Sequence, residues 1–204
     1  MTRRGVCLVI AAPSGAGKTS ITRALLDIEP ALALSVSVTT RAPRVHEREG
    51  VHYFFRSQSE FDAMRTRGDL LESATVFGRS YGTPRAPVEA ALKAGRDIVF
   101  DIDWQGFRQL QASMPGDVVG LFILPPSLRV LEERLRGRGS DSAADINHRM
   151  TQAREEMRHA PEFDHVLVNT HFDHAVAETR AVLLAARLAT PRLTGLQQFL
   201  TSAE

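Results

Sequence analysis

A short segment near the start of the chain has the residue types of a phosphate-binding loop. Residues 11–19 read Ala-Ala-Pro-Ser-Gly-Ala-Gly-Lys-Thr, between an apolar run and a helical pattern. Gly15 and Gly17 let the backbone turn so that successive N–H groups point at phosphate oxygens, helped by the N-terminus of the next helix. Lys18 would reach the β- and γ-phosphates of a nucleotide, and Thr19 a magnesium ion.

One position departs from the usual pattern of this loop. Ala12 stands where G-x-x-x-x-G-K-[ST] has its first glycine. A glycine-rich turn with an incidental lysine is therefore the alternative, and the interpretation needs support from the rest of the chain.

A second group of residues suited to binding an anion follows the first helical pattern. Arg41 and Arg44 are three residues apart, with Pro43 between them, and Tyr53 lies further along. Because proline does not fit a helix interior, we expect an extended strand end or loop that turns both guanidinium groups toward one anion. A solvated basic loop is the alternative that these residues leave open.

The order of these residues resembles the signature of the guanylate kinase family. The matching pattern is Thr39-Thr40-Arg41-x-x-Arg44-x-x-Glu47-x-x-Gly50-x-x-Tyr53-x-Phe55. Further segments match in order and spacing, namely Glu72 with Phe77, Gly78, Tyr81, Gly82 and Thr83, then residues 99–106, 122–127, 134–139 and 146–149. The resemblance covers about residues 5–186, and bacterial members of this family include some with alanine at the position of Ala12.

This resemblance implies a kinase that transfers the γ-phosphoryl group of ATP to GMP and dGMP, with Mg²⁺ accompanying ATP. The implied ATP site comprises Ala12, Pro13, Ser14, Gly15, Ala16, Gly17, Lys18, Thr19, Ser20, Arg134, Arg138 and Asn169. The implied GMP site comprises Ser37, Arg41, Arg44, Tyr53, Glu72, Tyr81, Thr83, Asp101 and Asp103. The residues expected to act in catalysis are Lys18, Arg41, Arg134, Arg138 and Arg149.

The chemistry of guanine fits the residues implied for its recognition. Guanine offers N1–H and an amino group as donors, with O6 and N7 as acceptors. The resemblance gives the donors to Glu72 and Asp103, and the acceptors to Ser37 and Thr83. Adenine would leave a buried carboxylate without a partner, and sites of this kind discriminate by about 10⁴-fold or more. We therefore expect strong rejection of AMP.

Phosphoryl transfer to GMP needs no general base, because the attacking atom is already an anionic phosphate oxygen. The resemblance implies a mobile helical lid that contains Arg134, Arg138 and Arg149. These arginines, with Lys18 and Mg²⁺, would neutralise charge and align the two nucleotides. Arg134 and Arg138 are four residues apart and share a helix face if the helix continues, while Arg149 lies on the returning helix. Arg136 falls off that face, and a charged exposed helix is the alternative for the whole cluster.

Two other residues have roles that the sequence leaves open. Asp101 ends a buried apolar strand, where a carboxylate is costly unless it meets a cation or a ligand. It either orders magnesium through water or supports the monophosphate site. Asn169 resembles the family position beside the ATP adenine, and a plain turn residue is the alternative.

The elements that must position these residues alternate along the chain. Buried strands are predicted at residues 6–11, 97–100, 118–124 and 165–168. Helices are predicted at residues 18–27, 58–67, 87–94, 105–114, 127–135, 143–159 and 174–188. The predicted class is α/β, with a P-loop NTPase-type parallel sheet flanked by helices, an inserted mixed β/α GMP-binding lobe and a helical lid.

We expect one guanylate kinase-like domain over residues 5–186. Its core comprises residues 5–33, 84–125 and 160–186, its GMP-binding lobe residues 34–83, and its mobile lid residues 126–159. Residues 187–204 are expected to form a C-terminal extension that is loosely attached beyond Thr190.

Composition limits the partners. The 204 residues suit one α/β core, and 25 Lys and Arg against 24 Asp and Glu give a net charge of +1, which provides no general attraction for nucleic acid or membrane. The single cysteine, Cys7, excludes an intramolecular disulfide and is expected to pack in the core. No apolar stretch reaches the roughly 18 to 20 residues of a membrane span. We expect a cytoplasmic protein that binds ATP and GMP. The sequence leaves open whether it forms a homo-oligomer.

Two other functions remain as alternatives. A noncatalytic guanylate-kinase-like scaffold module binds phosphorylated peptides at the equivalent monophosphate site, but such modules typically lack an intact phosphate loop. A related kinase of a sugar phosphate would not need Glu72, Ser37 and Thr83 around a base.

Overall fold

The computed structural model describes residues 2–76, 78–137 and 142–202. The elements follow the order β1 (Cys7–Ala11), α1 (Lys18–Ile28), β2 (Leu32–Leu34), β3 (Ser37–Thr39), β4 (Tyr53–Phe55), α2 (Gln58–Arg67), β5 (Leu70–Val76), β6 (Arg79–Pro84), α3 (Arg85–Lys93), β7 (Asp97–Asp101), α4 (Trp104–Ser113), β8 (Val118–Leu124), α5 (Leu128–Arg136), α6 (Ala143–Met157), β9 (His165–Val168), α7 (Phe172–Arg187) and α8 (Leu196–Ser202). Short 3-10 turns lie at Ala160–Glu162 and Thr190–Arg192. Phe77 and Arg138 lie outside the described residues.

A five-stranded parallel sheet forms the centre of the molecule, in the order β2-β7-β1-β8-β9. All four predicted strands belong to it, which confirms the parallel α/β fold. The prediction of burial is wrong for β9, because this strand is at the end of the strand order and three of its four residues are exposed. The sequence pattern does not predict β2, because a three-residue strand with two exposed residues carries no periodic signal. Since the strands are parallel, the loops after β1, β7 and β9 meet at one edge of the sheet, where ligands of open α/β sheets bind.

Both faces of the sheet are covered, as expected for a parallel sheet. Successive residues of β1 point to opposite faces, so Cys7 and Val9 pack on the side of α3 and α4, while Leu8 and Ile10 pack on the side of α1 and α7. Cys7 is buried in the core, as predicted.

A second sheet of four strands, in the order β4-β3-β6-β5, lies within the segment predicted to be an inserted lobe. Strand β3 runs parallel to β4 and antiparallel to β6, which also pairs antiparallel with β5. The sheet and α2 share a small core of Val38, Phe61 and Leu70. Helix α2 spans residues 58–67, as predicted, and begins at a capping box of Ser57 and Glu60.

Helices α5 and α6 form the segment predicted to be a lid. Each begins at a serine, Ser127 and Ser142, whose side chain accepts a backbone N–H of the first turn. Their shared core consists of Leu131, Leu135, Ile146, Met150 and Ala153. Helix α6 ends at Met157, two residues before the predicted end.

The segment after α7 is hydrogen-bonded to residues near the start of the chain. The buried Arg192 donates from Nη1 to the Gly5 carbonyl at 3.0 Å and accepts the Arg4 N–H on its own carbonyl at 2.8 Å. The Gly195 N–H donates to the Thr2 carbonyl at 3.1 Å. The expectation of loose attachment beyond Thr190 is therefore wrong for this stretch.

A network of ion pairs lies at the end of the parallel sheet that is opposite the phosphate loop. The fully buried Asp97 accepts two hydrogen bonds from Arg3, at 2.7 and 2.8 Å, and one from Arg187 Nε at 2.7 Å. Arg187 also pairs with Glu29 at 2.6 Å, which connects α7 to the end of α1.

In the described ranges, no helix has the length and apolar character needed to span a bilayer.

Candidate functional site

The loop between β1 and α1 lines a cavity of about 340 Å³. Gly15 and Gly17 have φ angles of +93° and +105°, which L side chains rarely adopt. A Cβ on Gly17 would also lie 2.5 Å from Nδ2 of Asn169. The N-cap residue of α1, Gly17, makes no side-chain hydrogen bond to the first turn, and the N–H groups of such a helix start suit an anionic ligand. The lining residues are Ala12, Pro13, Ser14, Gly15, Gly17, Lys18, Thr19, Ser20, Asp103 and Glu156.

Lys18, at the start of α1, contacts the end of β7. Its Nζ lies 2.5 Å from Oδ1 of Asp101 and 3.4 Å from the Ile102 carbonyl oxygen. Strand β7 is buried, but Asp101 at its end is exposed, so the expected cost of a buried carboxylate does not arise and the ion pair with Lys18 lies near the surface. Asp101 also lines a second cavity of about 210 Å³, together with Ser37 and Tyr53.

The predicted phosphate ligands of the lobe lie around Arg41. Its guanidinium group donates to both carboxylate oxygens of Glu47, at 2.7 and 2.9 Å, and its Cζ lies 5.3 Å from the centre of the Tyr53 ring. Tyr81 lies beside Arg41, and its ring centre lies 6.1 Å from that of Tyr53. Arg44 is exposed on the loop between β3 and β4.

Of the residues implied for guanine recognition, Glu72 and Thr83 form a buried hydrogen-bonded pair, whereas Ser37 lines the second cavity with Asp101. Thr83 Oγ1 donates to Oε1 of Glu72 at 2.7 Å across the β5–β6 pairing, and Glu72 is 7% exposed. Burial raises the pKa of Glu72, the Thr83 hydrogen bond opposes the rise, and the charge of Asp103 adds to it. Asp103 itself accepts the Gly106 N–H at 2.9 Å and so caps α4.

Two arginines of the lid helices reach the phosphate loop. Arg134 donates to the carbonyl oxygens of Asn169 and Ala16, at 3.1 and 3.5 Å, and Arg149 donates to Ser14 Oγ at 3.2 Å. Asn169 is 4% exposed, and its Nδ2 donates to the Ala16 carbonyl at 2.8 Å. Its Oδ1 is buried with no hydrogen-bond partner in the described part of the chain.

Comparison with known proteins identifies the family. A sequence model described as guanylate kinase matches residues 4–186. A guanylate kinase of Granulibacter bethesdensis is 61% identical over 97% of this chain and 92% of that protein. One of Gluconobacter oxydans is 58% identical over 99% of this chain and 97% of that protein. The chain belongs to the guanylate kinase family.

Structural similarity agrees with this membership of the guanylate kinase family. The crystal structure of guanylate kinase from Anaplasma phagocytophilum matches with a TM-score of 0.76 and 34% identity, over 98% of this chain and 96% of that one. The resemblance drawn from the signature residues is thereby confirmed.

Most of the residues implied by the guanylate kinase signature lie in two adjoining groups. Of the implied ATP ligands in the loop, Ala16 alone is absent from the cavity lining, because it is buried beneath the loop and offers its carbonyl to Arg134 and Asn169. Arg136 is exposed and pairs with Glu132 at 2.7 Å, as expected for a residue off the lid face.

The sequence pattern gives no role to two carboxylates of this guanylate kinase site. Glu156 lines the phosphate-loop cavity beside Ser14, and burial raises its pKa while the nearby Lys18 lowers it. It lies seven residues after Arg149, on the same helix face, and this spacing is the signal that could have found it. Glu47 is part of the signature, but its contact with Arg41 depends on a turn that the sequence alone does not define.

Proposed function

We propose that this chain transfers the γ-phosphoryl group of ATP to GMP, and to dGMP, with formation of ADP and GDP. The observation that carries the proposal is the contact between Lys18 and Asp101. Lys18 belongs to the phosphate-loop cavity, and Asp101 lines the cavity that also contains Ser37 and Tyr53. A donor phosphate and an acceptor phosphate would therefore lie on the two sides of one ion pair.

The donor half of the site is suited to the phosphates of ATP. The N–H groups at the start of α1 and the positive-φ glycines favour an anion, and Lys18 would exchange Asp101 for phosphate oxygens when ATP binds. Arg134 and Arg149 already contact the loop, so they are placed to add positive charge beside the transferring group. Arg138 is proposed to act with them.

The acceptor half would hold GMP by its phosphate and by its base. Two guanidinium groups and two phenolic hydroxyls suit a phosphate dianion, and they belong to Arg41, Arg44, Tyr53 and Tyr81. Glu72, bonded to Thr83, would accept hydrogen bonds from the guanine donors. Asp103 and Ser37 would complete the contacts with the base.

The residues present also fit Mg²⁺. No group of three or more His, Cys, Asp or Glu side chains that could hold a metal occurs among the described residues. Mg²⁺ in phosphoryl-transfer sites typically has only one or two protein ligands besides substrate phosphates and water, so this finding is compatible with its use. Thr19 in the cavity is the proposed direct ligand, with Asp101 acting through water. When bound, Mg²⁺ would neutralise charge on the ATP phosphates.

Positioning and electrostatics would supply most of the catalysis. The acceptor oxygen carries a charge already, so the site must bring two polyanions together and exclude water as the lid closes. We place this reaction in the cytoplasm, in purine nucleotide metabolism and GMP recycling.

The test is a coupled assay of ADP formation with ATP and a panel of acceptors. GMP and dGMP are expected to be phosphorylated, and AMP, CMP, UMP and ribose phosphates to react at least about 10⁴-fold less efficiently. Activity confined to an acceptor without guanine would refute the proposal. Binding of GMP without any turnover would instead favour the scaffold alternative.

A further inference from the structure

The loop between β3 and β4 contains a carboxylate that contacts both arginines implied for the acceptor phosphate. We propose that Glu47 is a positioning residue, which orients Arg41 and Arg44 for the phosphate of the acceptor nucleotide. The inference rests on the proposed function, because it gives a role to a residue beside that phosphate site rather than to a direct ligand.

Glu47 determines which edge of the Arg41 guanidinium group remains available. Nη1 donates to Oε2 of Glu47 at 2.9 Å and to the Ala42 carbonyl at 2.8 Å, and Nη2 donates to Oε1 of Glu47 at 2.7 Å. These bonds use three of the five N–H groups of arginine. The remaining two, on Nε and Nη2, share one edge of the planar group and form the pair that binds a phosphate bidentately.

The same carboxylate fixes the backbone at Arg44. Oε2 of Glu47 accepts the Arg44 N–H at 2.8 Å, and the Glu47 N–H donates to the Arg44 carbonyl at 2.9 Å. These two bonds close the turn of residues 44–47 from both sides. They fix the position of the Arg44 Cα, from which its side chain extends, relative to the guanidinium group of Arg41.

The surroundings of the pair favour one fixed arrangement. The side chains of Arg41 and Glu47 are 19% and 14% exposed, and Tyr53 and Tyr81 contact Arg41 from the neighbouring strands. The hydrogen bonds from Arg41 and from the Arg44 N–H lower the pKa of Glu47 to about 2, so the carboxylate stays ionised at neutral pH.

Two effects of Glu47 on phosphate binding have opposite signs. Its negative charge repels a phosphate, so its removal alone would tighten binding. Its hydrogen bonds hold the arginines in a binding geometry, so its removal would weaken binding because two flexible side chains must then be ordered by the ligand. Glu47 occupies a different edge of the Arg41 guanidinium group from the one left for phosphate, so its charge is held away from the ligand and the repulsion is reduced. The second effect is therefore expected to dominate.

The same loop provides a matched control. Glu49 also joins a guanidinium group to a backbone N–H, because Oε1 accepts from Arg56 Nη1 at 2.7 Å and Oε2 accepts the Phe55 N–H at 2.8 Å. Neither partner of Glu49 is implied in binding substrate. Glu49→Gln therefore reproduces the chemical change of Glu47→Gln without disturbing the two phosphate arginines.

The experiment measures the dissociation constants of GMP and guanosine, with KM values for GMP and ATP, in the wild type and both variants. Glu47→Gln should raise the dissociation constant and KM for GMP by about tenfold or more, as expected for the loss of a charge-assisted contact. Guanosine has no phosphate, so its affinity should stay within twofold, as should KM for ATP. Glu49→Gln should leave all four values within twofold.

A further variant, Glu47→Asp, keeps the charge and shortens the side chain, and it should also weaken GMP binding if reach and geometry are what matter. Unchanged or tighter GMP binding in Glu47→Gln would overturn the inference, as would equal losses for GMP and guanosine. If Glu47→Gln does not fold, Glu47→Asp decides by the same criteria. A wild-type protein that fails to phosphorylate GMP would refute the proposed function itself, and the two failures are thereby distinguished.

Discussion

Lys18 and Asp101 form an ion pair with a distance of 2.5 Å between Nζ and Oδ1, although 82 residues lie between them in the chain. The pair forms because β1 and β7 are parallel neighbours that end at the same edge of the sheet. It joins the cavity of the phosphate loop to the cavity that contains Ser37 and Tyr53. The two halves of the proposed phosphoryl-transfer site are adjacent for this reason.

Lys18→Ala should abolish phosphoryl transfer with little effect on GMP binding. The loss of the positive charge beside the transferring group should lower kcat by about 10³-fold or more. Lys93, the other lysine of the chain, is exposed and pairs with Glu89 on the surface, so Lys93→Ala is the matched control. Steady-state kinetics and GMP titration are the measurements. Wild-type turnover in Lys18→Ala would remove the assigned role.

Glu72→Gln should weaken recognition of guanine while ATP binding is retained. The amide presents a donor where guanine also has donors, so KM for GMP should rise by about 10²-fold or more, and discrimination against AMP should fall. Glu178→Gln, on the exposed face of α7, serves as the control. Unchanged GMP kinetics in Glu72→Gln would mean that the base is bound elsewhere.

Binding of the base should depend on pH through Glu72. Burial raises the pKa of this carboxyl, and only its ionised form accepts hydrogen bonds from both guanine donors. Guanosine affinity should therefore fall as the pH is lowered through this raised pKa, at a higher pH than for an ordinary glutamate. Guanosine avoids the titration of the GMP phosphate. Identical pH profiles for the wild type and Glu72→Gln would contradict this assignment.

Arg134→Ala should reduce turnover far more than Arg136→Ala, although both residues belong to the last turn of α5. Arg134 contacts the Ala16 and Asn169 carbonyl oxygens at the phosphate loop, whereas Arg136 pairs with Glu132 in solvent. A loss of about 10³-fold in kcat is expected for Arg134→Ala, and little change for Arg136→Ala. Thermal unfolding of both variants separates loss of catalysis from loss of folding. Equal kcat values would contradict the role of Arg134.

Asp97→Asn should destabilise the fold without a direct effect on the site. The substitution at this fully buried position leaves the partly buried Arg187 and Arg3 without their shared carboxylate, so the free energy of unfolding should fall by about 3 kcal/mol or more. Asp62→Asn, which breaks an exposed pair with Arg65, should cost less than about 1 kcal/mol. Chemical denaturation measures both values.

The carboxylate of Asp97 should also make the free energy of unfolding fall in acid. Burial alone would raise the pKa of Asp97, but the hydrogen bonds from Arg3, Arg187 and the Val6 N–H outweigh it and lower the pKa. The folded pKa is thus below the unfolded one. The stabilisation is complete above the unfolded value and is lost as pH falls through the folded value. Asp97→Asn should show a weaker acid dependence than the wild type, and an unchanged dependence would contradict this.

The sequence predicted those parts of the fold and site that depend on local patterns. The phosphate loop, the four predicted strands of the parallel sheet and the span of α2 are examples, because each is determined by neighbouring residues. Strand β2 is too short to carry a pattern. The fastening of Arg192 to Gly5, and the contacts of Glu47 and Glu156, depend on turns and helix faces that become defined only when distant segments pack together.

The measurement that tests the central claim most directly is a ³¹P NMR time course of the protein with ATP, GMP and Mg²⁺. If the γ-phosphoryl group passes directly to GMP, the GMP and ATP signals decline together while ADP and GDP appear in equal amounts, with no early release of inorganic phosphate. Release of inorganic phosphate in place of GDP, or an unchanged GMP signal while ATP is consumed, would contradict transfer between the two adjoining sites.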